Sequence, residues 1–182
     1  MKFCYIIFLI YSNLFKFDKI TWCFAVSIMS VPDQTEDQSK DVIIIIAEDD
    51  EDDYLLTKEA FKEAGANNPL HWVKDGEELL QFLSNVSADD ESKNVGMILL
   101  DLNMPKKDGR EALKEIKNSP LWRRIPVLIL TTSNAESDIL NSYDLGVNSY
   151  IQKPVRFPEL VEVTKSVVDY WFKTVKLPLK SS

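Results

Sequence analysis

The chain has 182 residues, 45% of them hydrophobic and 27% charged, a globular mix long enough for one domain with a sizeable core and short for two. Its formal net charge is −8 and its pI about 4.7, with no basic cluster or stripe, which excludes an ordinary nucleic-acid reader. Both cysteines, Cys4 and Cys23, stand near the N-terminus, so no disulfide or cysteine-based metal framework holds the body together, and a reducing, cytoplasmic setting fits.

The first 29 residues differ from the rest, being rich in Phe, Ile, Tyr and Trp. The apolar run Phe3 to Tyr11 is short against the about 20 residues of a membrane span, and Lys16-Phe17-Asp18-Lys19 interrupts it. Three readings are open. A signal peptide would use Lys2 and the Phe3–Tyr11 run, but Ala25-Val26-Ser27 is a poor cleavage site. A membrane anchor is the second. The preferred one starts translation at Met29, which makes residues 1–28 upstream sequence. Residues 32–41 are polar and aperiodic and read as a mobile lead-in. The expected organisation is therefore an extension over residues 1–41, one folded domain over 42–175, and a tail over 176–182. A membrane association is not expected.

Val42 to Ala47 is a short β-branched apolar run, as expected of a strand covered on both faces. It ends in Glu48-Asp49-Asp50-Glu51-Asp52-Asp53, whose later carboxylates suit a helix N-terminus. A helix follows to about Ala64, with Leu56, Ala60 and Ala64 at i+4 spacing and Gly65 as its stop. Leu70 to Val73 is a second strand. Asp75 can cap the helix that carries Leu79, Leu80, Phe82 and Leu83, and residues 84–95 read as a polar loop. The third strand, Met97 to Leu100, runs into Asp101. A turn through Pro105 and Gly109 leads to a helix with Ala112, Leu113 and Ile116. Pro126 opens a fourth strand, Val127 to Leu130, which ends at Thr131-Thr132-Ser133. A helix from about Glu136 to Leu145 stops at Gly146. The fifth strand is Ser149 to Gln152, followed by Lys153-Pro154, and the last helix spans roughly Phe157 to Phe172.

Five strands alternating with five helices predict an α/β fold with a parallel sheet wound on both faces, because parallel neighbours need helical crossovers. Ligands of such sheets gather outside the carboxyl ends of the strands. The residues there are Glu48 and Asp49, Asp101, Thr131 and Lys153. Carboxylates converging on one crevice repel unless a cation sits among them. An all-oxygen site with open positions suits Mg²⁺, which also accepts phosphoryl oxygens. A lysine ammonium and a threonine hydroxyl opposite them complete the needs of a carboxylate nucleophile attacking phosphorus. Singly, each residue has a plainer reading: Asp101 a helix cap, Lys153 a solvated charge, Thr131 strand chemistry, the acidic run a solvated helix start. Their joint placement at four of five strand ends is the specific signal.

The segments Ala47-Glu48-Asp49-Asp50, Asp101-Leu102-Asn103-Met104-Pro105 with Gly109, Thr131-Thr132 and Lys153-Pro154 resemble the signature of response-regulator receiver domains, across about residues 42–172. Asp101 to Arg110, Tyr150-Ile-Gln-Lys-Pro-Val and Tyr170-Trp171-Phe172 resemble the small regulators paired with cyanobacterial phytochromes. The resemblance implies a five-stranded, flavodoxin-like single domain with Asp101 as the phosphorylated aspartate. It implies Mg²⁺ held by Glu48, Asp49, Asp101 and the backbone carbonyl of Asn103. Lys153 and Thr131 would contact the phosphoryl group, Tyr150 would turn inward as Thr131 moves, and Pro105, Gly109 and Pro154 would shape the turns. Asn103 and Ser133 occupy positions that influence hydrolysis of the acyl phosphate; neither is a carboxylate, so no special acceleration is expected. His71, the only histidine, falls in the second strand and is given no catalytic role.

After Lys153 one helix and a short tail remain, so the expected output is a contact with another protein, not an enzymatic module or nucleic acid. The upstream partner implied is a sensor histidine kinase, phytochrome-like by analogy. The last helix carries more apolar residues than one side of a sheet requires, with Leu160, Thr164, Val167, Val168 and Trp171 on one face and Val161, Phe172 and Val175 off it. Core and tail packing is one reading and a homodimer the other. Among rivals, an aspartate-based phosphohydrolase would carry a second aspartate where Asn103 stands. A flavodoxin-like binding module would have a Ser/Thr/Gly-rich loop in place of Glu48-Asp49-Asp50. A receiver that serves only as a scaffold would not need the intact residue set.

Overall fold

The computed structural model describes residues 42–88 and 95–179. The expectations for residues 1–41, the middle of the polar loop and the last three residues lie outside them. The five strands are β1 (Ile43–Ala47), β2 (Leu70–Val73), β3 (Val95–Leu100), β4 (Val127–Thr131) and β5 (Ser149–Gln152). They alternate with α1 (Glu51–Glu63), α2 (Gly76–Ala88), α3 (Gly109–Asn118), α4 (Glu136–Asp144) and α5 (Phe157–Val168). All strand pairs are parallel, in the order β2-β1-β3-β4-β5. The doubly wound architecture expected from the alternation is the one observed.

Period-two alternation divides the core into two layers. Ile44, Ile46, Met97, Leu99, Leu128 and Leu130 face α1 and α5, where Ala60, Phe61, Leu160 and Val167 meet them. Ile45, Ala47, Ile98, Leu100, Val127 and Ile129 face the other way, toward Leu79 and Leu83 of α2 and Ala112, Leu113 and Ile116 of α3. Because β1, β3 and β4 are covered on both faces, they read as near-continuous apolar runs.

Several helix details depart from the sequence expectation. On α1 the buried stripe is Thr57, Ala60, Phe61 and Ala64, the i, i+3, i+4, i+7 face of a helix. Leu56 was expected there but is 46% exposed, one position off that face. Gly65 does end α1, at φ +78°, a left-handed conformation that costs glycine little. Asp75 caps α2 by accepting from the Glu78 N–H at 2.9 Å. That helix continues to Ala88 into the expected polar loop. Ser84 to Ala88 contain no Gly or Pro, and extending an existing helix adds a hydrogen bond per residue without a new nucleation cost. Similarly β3 begins at Val95, two residues early, where Ile43 pairs with it. The last helix keeps α pitch only to Val168 and then widens into a π-helical segment, Asp169–Thr174. Val161, Trp171 and Phe172 lie against the α1/α5 layer.

Candidate functional site

The register of β1 on β3 places Ala47 opposite Leu100, so Glu48 and Asp101 leave the sheet side by side. The Asp101 N–H donates to the Ala47 carbonyl at 3.0 Å. Strand order changes direction at this pair, since β1 lies between β2 and β3, and the crevice expected of an open α/β sheet forms there. Glu48 and Asp101 are buried, at 4% and 7% exposure, while Asp49 is exposed. One carboxylate oxygen from each of Glu48, Asp49 and Asp101 lies within 4.8 Å of the others.

Lys153 enters from the end of β5. Its backbone N–H donates to the Thr131 carbonyl at 2.7 Å, which ties the ends of β4 and β5 together. Its ammonium lies 2.5 Å from Glu48 Oε2, 2.8 Å from Asp53 Oδ2 and 3.6 Å from Asp101 Oδ2. Burial depresses this ammonium, but the hydrogen bonds it donates to Asp53 and Glu48 and the charges of Glu48 and Asp101 outweigh it, so its pKa is raised and it stays charged. Burial drives Glu48 the most, upward to about 7; Lys153 pulls it down, and the Asp101 charge pushes it up again. One ammonium shared among three carboxylates leaves the crevice short of positive charge. An oxygen-rich set with that shortage suits a hard divalent cation, and the residues present fit one.

The other expected residues lie in or just after β3, β4 and β5. Asn103, exposed, donates its N–H to Asp101 Oδ1 at 3.1 Å. Thr131 is fully buried. Tyr150, half-buried, donates its hydroxyl to the Ser133 carbonyl at 3.1 Å. Pro105 is exposed in the loop after Asp101. Gly109 closes that loop: a Cβ there would stand 2.0 Å from the Asp101 carbonyl oxygen, so only glycine admits the approach. Pro154 follows Lys153 where β5 ends, at a point where no ladder donor is needed. His71 lies inside β2, in register with Ile45 of β1, with its ring stacked on Phe82, centroids 3.6 Å apart.

Three features escaped the sequence reading. Asp53 belongs to the acidic run and was taken as helix-start charge, yet it also holds Lys153; its place four residues after Asp49, at the head of α1, was the available signal. Lys106, in the left-handed region at φ +58°, reaches back to the buried Asp75 at 2.6 Å. Arg110 forms a two-pronged pair with Asp138, Nε to Oδ1 at 2.8 Å and Nη2 to Oδ2 at 2.6 Å. The guanidinium and the Ser133 hydroxyl hold the Asp138 carboxyl down at about 2. No spacing rule pairs residues on two different helices, so this last contact had no sequence signal.

The chain matches the response regulator receiver domain over residues 44–165. It belongs to this family. The receiver is 40% identical over 136 residues to response regulator Rcp1 of Synechocystis sp., covering 75% of this chain and 92% of that protein. Among solved structures it resembles the phosphorylated cyanobacterial phytochrome response regulator RcpA, with TM-score 0.68, 40% identity and coverage of 75% of this chain and 97% of that one. The Mn²⁺-bound form of Rcp1 gives TM-score 0.67 at 40% identity, covering 75% and 98%. The receiver is thus homologous to phytochrome response regulators, and its family implies a phosphoacceptor in two-component signalling. Among the described residues no helix is long and apolar enough to cross a membrane.

Proposed function

We propose that this receiver accepts a phosphoryl group onto a carboxylate oxygen of Asp101 from the phosphohistidine of a sensor kinase. The observation that carries the reading is the convergence of Glu48, Asp49 and Asp101 within 4.8 Å, with the Lys153 ammonium 3.6 Å from Asp101. In the transfer the phosphorus–nitrogen bond breaks, its electron pair returns to the imidazole, and an Asp101 oxygen–phosphorus bond forms. Lys153 meets the incoming phosphoryl oxygens, exchanging some of its hold on Asp53 and Glu48, and the Thr131 hydroxyl donates to them from the end of β4. Glu48, Asp49, Asp101 and the Asn103 carbonyl would hold Mg²⁺. That ion supplies positive charge against the developing charge on the phosphoryl oxygens. The chain's own chemistry is then metal-assisted self-phosphorylation and slow autodephosphorylation, not turnover of a separate substrate.

The receiver spans residues 42–175 on this reading and works in the cytoplasm. It passes its signal to a protein partner; the net charge of −8 disfavours nucleic acid. A phytochrome-like kinase is the inferred donor, supported by the likeness to RcpA and Rcp1. A homodimer through the last helix draws support from Tyr170, 53% exposed beside Trp171. Sedimentation with and without a phosphoryl mimic tests it, and monomer alone at high concentration removes it.

Incubation with a small acyl-phosphate donor and Mg²⁺ tests the central reading. Intact-mass measurement is expected to show one phosphoryl group on the wild type and none on Asp101→Asn. Equal labelling of the two would overturn it.

A further inference from the structure

The first turn of α4 is held in an unusual way. Its N-cap position, Ala135, offers no side-chain cap, and Ser142 is its one buried residue, while Leu140 and Tyr143 are 58% and 52% exposed. An element with so little apolar burial opens at low cost unless polar contacts tether it. Asp138 supplies the tether. Its carboxylate takes both prongs of Arg110 and also accepts the Ser133 hydroxyl at 2.6 Å. The third Arg110 nitrogen, Nη1, donates to the Leu102 carbonyl at 3.4 Å, one residue beyond Asp101. On the other side, the Ser133 carbonyl accepts the Tyr150 hydroxyl, and the Ser133 N–H lies 3.4 Å from Thr131 Oγ1.

A continuous chain of contacts therefore runs from the loop after Asp101, through Arg110, Asp138 and Ser133, to Tyr150 on β5. We propose that the Arg110–Asp138 pair is a latch that fixes the β4–α4 loop and thereby holds Tyr150 in its half-buried place. Arg110 and Asp138 are positioning residues. Their side chains contact each other, Ser133, Asp108 and the Leu102 carbonyl, and both act through Ser133. With the latch closed, the Ser133 carbonyl is presented to the Tyr150 hydroxyl. With it open, the loop and the first turn of α4 lose their tether, and Tyr150 loses its acceptor. The planar fork of arginine suits this task because two parallel hydrogen bonds fix orientation as well as distance. The link to signalling rests on the proposal that Asp101 is phosphorylated. The latch itself does not.

The test uses the full chain, unphosphorylated and without metal, carrying fluorotyrosine at its six tyrosines. Tyr150→Phe assigns the Tyr150 fluorine resonance. Arg110→Ala and Asp138→Asn are each expected to move that resonance toward the position of solvent-exposed tyrosine, with Arg110→Lys intermediate and the other tyrosines little changed. Ser133→Ala, which keeps the ion pair but loses its hydroxyl link, is expected to give a smaller shift of the same sign and serves should either charge variant fail to fold. An unmoved Tyr150 resonance in the folded variants overturns the latch. Labelling by the acyl-phosphate donor is measured on the same variants. Retained labelling with a moved Tyr150 resonance supports a latch separate from the acceptor chemistry. Absence of labelling on the wild type would sink the acceptor reading and leave the latch result standing.

Discussion

Lys153 and Glu48 meet through a 2.5 Å contact between Nζ and Oε2, with side-chain exposures of 8% and 6%. Removing one partner of such a pair strands the other, and the cost is set by whether the remaining group can discharge itself. Glu48 can, because burial already lifts its pKa to about 7.

Lys153→Ala is therefore expected to lose about 3 kcal/mol of stability at pH 8, where Glu48, ionised in the wild type, loses its partner and must either stay charged without it or take up a proton. The loss shrinks at pH 5, where Glu48 takes a proton. Urea unfolding at the two pH values measures the difference, and an equal loss at both would contradict this account.

The same raised pKa sets the pH dependence of the wild type. An ordinary glutamate titrates near 4.5, and Glu48 in the fold near 7. Between these values the folded state binds more protons than the unfolded one, so this group's contribution to stability is fully present below pH 4.5 and is lost as pH rises through 7. A divalent cation needs the ionised form, so its affinity runs the opposite way and is expected to be up to about tenfold weaker at pH 6 than at pH 8. Trp72 reports on it: its indole N–H donates to the Glu48 carbonyl at 2.7 Å, and its ring stacks on Tyr54 with centroids 4.4 Å apart. Mg²⁺ titration followed by tryptophan fluorescence, with Trp72→Phe as the control, checks both the site and the sign.

Gly109→Ala is expected to destabilise by about 3 kcal/mol or more, an overpacking cost. The added methyl would meet the carbonyl of Asp101 at 2.0 Å and the Leu102 Cα at 2.8 Å. Backbone atoms on both sides leave it little room to yield, so the Asp101 loop itself must shift. Phosphoryl labelling should fall along with the melting temperature. A labelled, fully stable variant would show that the approach is looser than described.

Phe61 and Leu56 separate the real face of α1 from the one its spacing suggested. Phe61 is 1% exposed in the α1/α5 layer and Leu56 46% exposed. Phe61→Ala is expected to cost about 3–5 kcal/mol. Leu56→Ala should stay within about 0.5 kcal/mol of wild type. Chemical denaturation of the pair decides.

Where the sequence misled, the cause was local ambiguity. Leu56, Ala60 and Ala64 form a valid i+4 row, but a row is not a face, and Thr57 and Phe61 occupy the side that packs. The residues of 84–88 look polar enough for a loop, but a helix already under way extends through them. Neither error touched the crevice, because strand ends are marked by sharper transitions than helix faces are.

The amino-acid order alone determined the alternation of strands and helices, the two-sided burial of β1, and the placement of Glu48, Asp49, Asp101, Thr131 and Lys153 at strand ends. These follow from short-range rules, namely side-chain period, turn chemistry, and the abrupt change from β-branched runs to carboxylates. Only the tertiary structure decided which distant groups touch. It gave Lys153 to Glu48 and Asp53 before Asp101, lifted Glu48 to about 7, and joined Arg110 to Asp138 across 28 positions. Ion pairing and desolvation depend on the separation of charges in space and on the solvent excluded around them, and neither quantity is written in the spacing of residues along a chain.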